Sequence, residues 1–201
     1  ISLPPSVEVG FTAFHQNDLE LGLPPNLETE FDYVLMLDVL EHLSNPEKFL
    51  ESLSAECVGT QNTTFIATTG NIAFLPIRLS LLFGFFNYGP RGILDFTHKR
   101  LFSFATFKRL FQQSGFEPVE IRGIPAPFPL LFGDGLLSKI LLAVNNGLIS
   151  ISKSLFAFQI YGVFRPRPSL RSIIESTYLN TKSRLAEDHP EAFNNRNENS
   201  D

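Results

Sequence analysis

The chain has 201 residues, of which 43% are apolar and 18% charged, enough to bury a core and too apolar for a disordered polymer. Its one cysteine, Cys57, excludes a disulfide framework and a cysteine-based zinc site, so no metal is invoked and a cytoplasmic, reducing compartment is expected. The net charge of −5 hides a division: residues 1–70 sum to −10, residues 71–185 to +9 and residues 186–201 to −4. Either the two halves face different partners, or folding interleaves them and cancels the field. The first residue is Ile1 and no basic-then-apolar leader follows, from which a piece of a longer chain is expected.

In chain order, Val7–Phe14 has the make-up of a strand, and Pro24, Pro25 and Asn26 mark the loop after it. Phe31–Leu37 (FDYVLML) is a short apolar run suited to a strand buried on both faces of a parallel sheet. A helix follows: Asn45 precedes Pro46, a favoured first-turn residue, and Phe49, Leu50 and Leu53 recur at helical spacing. Thr63–Thr69 is rich in β-branched residues and closes at Gly70 and Asn71, which predicts the next strand. Strand, helix, strand is the parallel crossover of an α/β sheet.

Residues 72–102 break the alternation and are read as an inserted, lid-like element. Ile72–Phe86 is apolar but carries Pro76 and Arg78 and falls short of the ~20 residues of a membrane span. It is either a buried core helix or a helix over a greasy substrate or a membrane surface. From Ser103 the pattern predicts an amphipathic helix with an N-cap and a closing Gly115, then a strand at Phe116–Ile124 and a Pro-rich loop. A second long helix is predicted over Leu136–Leu155 and a last strand over Ala157–Phe164. The body of the chain is thus residues 1–168, followed by a short helix within 169–185 and a polar tail, 186–201, read as disordered.

The chemistry concentrates in Phe31–Leu50, where a strand delivers Asp38, Glu41 and His42 just past its carboxyl end, the place where open α/β sheets bind ligands. A helix-start cap and a solvated loop give the same pattern, and Glu41 suits that role. The DVLEH stretch, Asp38–His42, resembles the segment around the fourth strand of class I S-adenosylmethionine-dependent methyltransferases. Asn17, Asp18 and Leu19 resemble the acidic loop after that family's third strand, and Thr69-Gly70-Asn71 stands where many relatives carry a Pro-Asn turn. Gly92–Ile121 is similar to the family's histidine-plus-basic segment, helix and sixth strand.

The resemblance implies a partial Rossmann-like sheet, mostly parallel with an antiparallel last strand, its N-terminal strands and glycine-rich cofactor loop missing. It implies S-adenosylmethionine as cofactor, held through Asp18, Leu19, Leu37, Asp38 and Val39. The acceptor is expected to meet Asn71, Arg78, Arg91 and Arg100, with His42 or His98 as the base if it is a hydroxyl, since imidazole exchanges protons near neutral pH. The stretches TTGNIAF, FNYGPRGILDFTHKRLF and IRGIPAPFP resemble the methyltransferase half of bifunctional chains in which a glycosyltransferase domain comes first. Such a relative implies a small-molecule or glycan acceptor, a lipid-linked one included; the apolar and basic residues of the 72–102 insertion suit peripheral membrane contact, and no nucleic-acid partner is expected. The rival from another class is a non-catalytic scaffold of the same shape that docks on an anionic membrane or a partner domain. A dinucleotide oxidoreductase is disfavoured by the lack of a G-x-G-x-x-G motif.

Overall fold

The computed structural model describes residues 15–23, 31–56, 63–167, 177, 178 and 181. The strand expected at Val7–Phe14, Cys57, the tail 186–201 and most of the 169–185 helix lie outside these, although Thr177, Tyr178 and Thr181 are helical. Residues 1–166 and 167–201 form two separate units, and the fold described here is that of the first.

Four strands make one sheet: β1 (Tyr33–Leu37), β2 (Thr64–Gly70), β3 (Phe116–Ile124) and β4 (Gln159–Pro166), in the spatial order β1-β2-β4-β3. The β1–β2 pair is parallel, with Tyr33 opposite Thr64 and Leu37 opposite Thr68. The last strand inserts antiparallel between β2 and β3, with Phe65 opposite Phe164 and Ile124 opposite Gln159. Three strands therefore point one way and β4 alone runs against them, the mostly parallel α/β sheet with an antiparallel last strand expected from the sequence.

One face is covered by α1 (Pro46–Glu56) and α3 (Phe104–Gln113). Each helix starts as its sequence dictates. Asn45 Oδ1 accepts from the Lys48 amide at 3.0 Å, with Pro46 in the first turn where a missing N–H costs nothing. Ser103 and Thr106 form a reciprocal capping box, and α3 stops before Gly115, whose φ of +90° suits glycine. Beneath these helices lies an aromatic core of Phe65, Phe107, Phe111, Phe116 and Phe164, filled out by Leu40, Leu50 and Ile160. Phe111 stacks on Phe164 at 3.6 Å between centroids, while Phe107 and Phe116 meet their neighbours edge-on.

Three expectations change. Strand β1 is not buried on both faces: Tyr33, Leu35 and Leu37 are exposed and Met36 is buried, because among the described residues helices cover only the face that Met36 shares. The long helix breaks at Ser152 into α5 (Leu136–Ile151) and α6 (Lys153–Phe156), and a short α4 (Phe128–Phe132) forms in the Pro-rich loop. Within the insertion, α2 (Leu75–Leu82) buries none of its residues, so it is not a core helix. The insertion is anchored instead by Ala73, Ile93 and Phe102, and by Ile72 N–H donating to Phe102 O at 2.9 Å. Among the described residues no helix is long and apolar enough to cross a membrane.

Candidate functional site

At the carboxyl ends of β1 and β2 the chain turns sharply, and Asp38 is the one described non-glycine residue with a left-handed backbone, φ +52°. Its N–H donates to both Thr68 O (3.3 Å) and Thr68 Oγ1 (3.1 Å), which fixes the turn against β2. Its carboxylate accepts from Thr68 Oγ1 at 3.0 Å and from Gln159 Nε2 at 3.1 and 3.0 Å, so it links the ends of β1, β2 and β4. The 3-10 turn Leu40–His42 follows directly and aims Glu41 and His42 across the sheet end.

A cavity of about 910 Å³ opens there. Asp38, Glu41, His42, Asp95 and His98 give it a polar floor together with Arg91 and Gln159. Its walls are apolar: Phe74 and Ile93 from the insertion, Phe128 and Leu131 from α4, and Phe158 before β4. The two imidazoles meet edge-on, 4.9 Å between centroids. His42 Nδ1 lies 3.3 Å from Thr97 O and His98 Nδ1 lies 3.0 Å from Ile93 O. A carbonyl oxygen only accepts, so these contacts place the proton on Nδ1 in both rings and leave each Nε2 as the basic nitrogen.

Glu41 is the residue that sequence reasoning undervalued. It is 2% exposed, lines the cavity, and its Oε2 has no hydrogen-bond partner. Burial, with the Asp38 carboxylate adding to it, pushes its carboxyl above the ordinary value of 4.5. Its backbone oxygen accepts from the Lys99 and Arg100 amides at 2.8 and 3.0 Å, which pins the segment bearing His98 beside the segment bearing His42. The sequence signal was its place between Asp38 and His42, which a helix-start reading absorbed.

The expected acceptor residues divide. Arg91 lines the cavity. Asn71 does not: it is fully buried, its amide donates to Ser154 O (3.0 Å) and Ala157 O (2.8 Å), and its Oδ1 accepts from Ala73 N–H (3.1 Å). These bonds tie it into the framework, off the cavity wall. Arg78 donates to Ala73 O and Ser154 Oγ, and Arg100 pairs with Glu47; neither is on the cavity wall.

Of the expected cofactor residues, Asp38 is on the cavity wall, Leu37 is exposed beside it, and Val39 packs partly against the core. Asp18 lies apart in a loop, exposed, with Oδ1 accepting from Glu20 N–H at 3.0 Å, and Leu19 packs on the core. Glu20 ties that loop to the site by accepting from Lys99 Nζ (2.8 Å) and Ser44 N–H (2.7 Å). Those bonds lower its pKa to about 2, so it stays charged under all ordinary conditions. Among the described residues no three His, Cys, Asp or Glu side chains are grouped to hold a metal ion.

The sequence of this region decides the family. The profile of the family described as methyltransferase domain matches residues 5–121, more than half of the chain and all of the segment carrying Asp38, Glu41, His42, Arg91 and His98. The chain belongs to the methyltransferase domain family. No curated protein matches this methyltransferase domain. Among solved structures it is similar to the small RNA methyltransferase HEN1, with 18% identity over 70% of this chain and 15% of that one, at a TM-score of 0.39. It is similar to a SAM-dependent methyltransferase from Archaeoglobus fulgidus, with 20% identity over 69% of this chain and 60% of that one, TM-score 0.39. A third likeness is to an S-adenosylmethionine-dependent methyltransferase from Clostridium acetobutylicum, with 12% identity over 75% and 63% of the two chains, TM-score 0.42. The methyltransferase domain thus spans less than two thirds of each of these three, and its family rests on the profile match.

Proposed function

We propose that the chain transfers a methyl group from S-adenosylmethionine to a hydroxyl of a sugar-like or glycolipid-like acceptor, bound in the cavity at the carboxyl ends of β1 and β2. The observation that carries the reading is the pair of imidazoles that line the cavity with their Nδ1 atoms committed to backbone carbonyls. The residues present suit a cationic donor: the Asp38 and Asp95 carboxylates line the cavity beside one cation, Arg91, and the buried Glu41 carboxyl adds an oxygen without a partner. S-Adenosylmethionine supplies, when bound, an electrophilic methyl on a sulfonium. Leu37–Val39 and the Asp18 loop would hold it.

The chain's own work is then positioning and proton removal. Phe74, Ile93, Phe128 and Phe158 exclude water from the acceptor and take its apolar part. Nε2 of His42 or His98 takes the hydroxyl proton, and Nδ1–H, held by Thr97 O or Ile93 O, keeps the ring in the tautomer that can do so. Arg91 is the cavity's cation and orients the polar part of the acceptor. The resemblance to bifunctional chains supports an upstream glycosyltransferase domain as the source of a freshly glycosylated acceptor.

The test is methyl transfer by the natural gene product, with labelled donor and a panel of glycolipids and free glycans. Loss of general-base assistance in His42→Ala or His98→Ala lowers kcat by about 10²–10⁴ while donor affinity by calorimetry is kept. Arg91→Ala raises the acceptor KM, and Asp18→Ala weakens donor binding. Full kcat in both histidine variants would overturn the base assignment. Absence of donor binding to the wild type would favour the non-catalytic scaffold.

A further inference from the structure

Helix α5 is built inside out. Its two most buried side chains are polar, Ser138 (1% exposed) and Asn145 (8%), seven residues apart and therefore on one face. Both are bonded inward: Ser138 Oγ donates to Gly133 O at 2.5 Å, and Asn145 bridges Ala126 N–H (2.9 Å) and Phe156 O (2.9 Å). The half-buried Leu142 and Ile149 pack beside them. The opposite face carries Leu136, Leu137, Ile140, Val144 and Ile151, all at least half exposed, Ile151 to 80%.

A soluble helix puts its apolar stripe on the core and its polar stripe in water. This one leaves the greater apolar stripe outside, an exposed patch of the kind that marks contact with another apolar surface. The feature extends beyond one helix. In α4, Leu130, Leu131 and Phe132 are exposed, and Leu130 and Leu131 also line the cavity, so the apolar surface continues into its mouth. Helix α2, whose Pro76 lines the cavity, and the turn after it expose Leu79, Leu82, Phe83, Phe85 and Phe86.

Charge selects the occupant. Across residues 74–91 and 128–151 there are three cations, Arg78, Arg91 and Lys139, against one acid, Asp134, and none of the three cations forms an ion pair among the described residues. Apolar side chains fringed by unpaired cations complement an acyl layer beneath anionic headgroups. At 16 residues α5 is about 24 Å long, enough to lie along the headgroup boundary and too short to cross it.

We propose that the exposed faces of α4 and α5, together with α2, dock this protein on an anionic lipid bilayer, with the cavity mouth facing the membrane. The docking stands independently of the reaction. That a membrane-borne acceptor enters the cavity from the bilayer rests on the reading in the preceding section.

Flotation of the full chain with vesicles of phosphatidylcholine containing about 30% phosphatidylglycerol tests it. The wild type floats with these vesicles and less with phosphatidylcholine alone. Leu136→Glu combined with Ile140→Glu lowers partitioning by about tenfold or more, and Lys139→Glu weakens it and reduces its salt sensitivity. These positions are off the cavity wall, so circular dichroism and the unfolding temperature stay as in the wild type. The chain has no tryptophan, so Val144→Trp serves as an independent probe whose emission shifts to the blue on adding vesicles. Failure of the wild type to float, unchanged partitioning of the double variant, or no shift at position 144 would overturn the proposal. A wild-type dimer that the double variant dissolves would assign the face to a second copy and overturn it equally. Flotation needs neither donor nor acceptor, so a protein that floats but transfers no methyl group refutes the reaction and leaves the docking intact. A protein that methylates a soluble glycan without floating does the converse.

Discussion

At the scale of single residues, Glu41 and Asn71 show how burial sorts polar groups into different work. Glu41 is buried with one oxygen unpartnered at a cavity wall, so folding favours its protonated form. Its folded pKa is raised, so the stability it contributes is whole below the unfolded value of about 4.5 and is lost as pH rises through the folded value. Glu41→Gln is expected to remove that part of the pH dependence and to raise the unfolding temperature near neutral pH, read by calorimetry at a series of pH values. A slope unchanged by the substitution would show that the carboxyl is ionised and compensated in the fold. Asn71 is buried with every bond made. Asn71→Ala removes the partners of Ser154 O, Ala157 O and Ala73 N–H and costs about 2–4 kcal/mol of stability, read by urea unfolding. Loss of stability with kcat per folded molecule kept is the signature of a framework residue.

At the scale of elements, the strand β4 is the piece whose fit is tightest. A Cβ at Gly162 would collide with the edge of the Phe164 ring and lie 3.1 Å from Phe107, so two phenyl groups of the core occupy the space a side chain would need. Gly162→Ala is therefore expected to destabilise by about 1–3 kcal/mol through overpacking, visible as a lower urea midpoint with an unchanged slope. Ser103→Ala removes one half of the capping box of α3 at a cost of about 1 kcal/mol, without touching the cavity. The Asp18–Leu23 loop depends on a different device. Glu20 holds Ser44 N–H and Lys99 Nζ, and its lowered pKa means that this hold is present above the ordinary glutamate value and released only as pH falls through about 2. Glu20→Gln should speed hydrogen exchange at the Ser44 amide while leaving exchange in β2 unchanged.

At the scale of the whole molecule, the charge division along the sequence is partly undone by folding. Glu20 and Glu47 from the acidic stretch pair with Lys99 and Arg100 from the basic one. These pairs sit beside the site, not scattered over the surface, and they lock the loop before β1, the DVLEH turn and the insertion to one another. Three of the cations without an ion pair among the described residues, Arg78, Arg91 and Lys139, lie in segments with a large exposed apolar area. Partitioning to anionic vesicles should consequently weaken with salt while the Glu20 and Glu47 pairs, being local, leave the fold little affected. Far-ultraviolet circular dichroism across the same salt series checks the second half of that statement.

What the sequence determined was everything local. Alternating and continuous apolar runs located the strands at 33–37, 64–70, 116–124 and 159–166 within two residues, and Asn45-Pro46, Ser103 and Gly115 set helix ends, because caps and periodicity act within a few residues. DVLEH placed Asp38, Glu41 and His42 at a strand end, and the pairing of a distant histidine with them followed from resemblance. Tertiary structure alone decided which polar groups remain free. Asn71, Arg78 and Arg100 read as binding residues until the fold gave them backbone or carboxylate partners, and Glu41 read as a helix start until the fold buried it without one. The same holds for the apolar segments: α2 and α5 have the composition of core helices, and composition does not say which face meets a neighbour. That depends on contacts between residues far apart in the chain, here Asn145 holding Ala126 and Phe156 on one side of α5, which turn its larger apolar face outward.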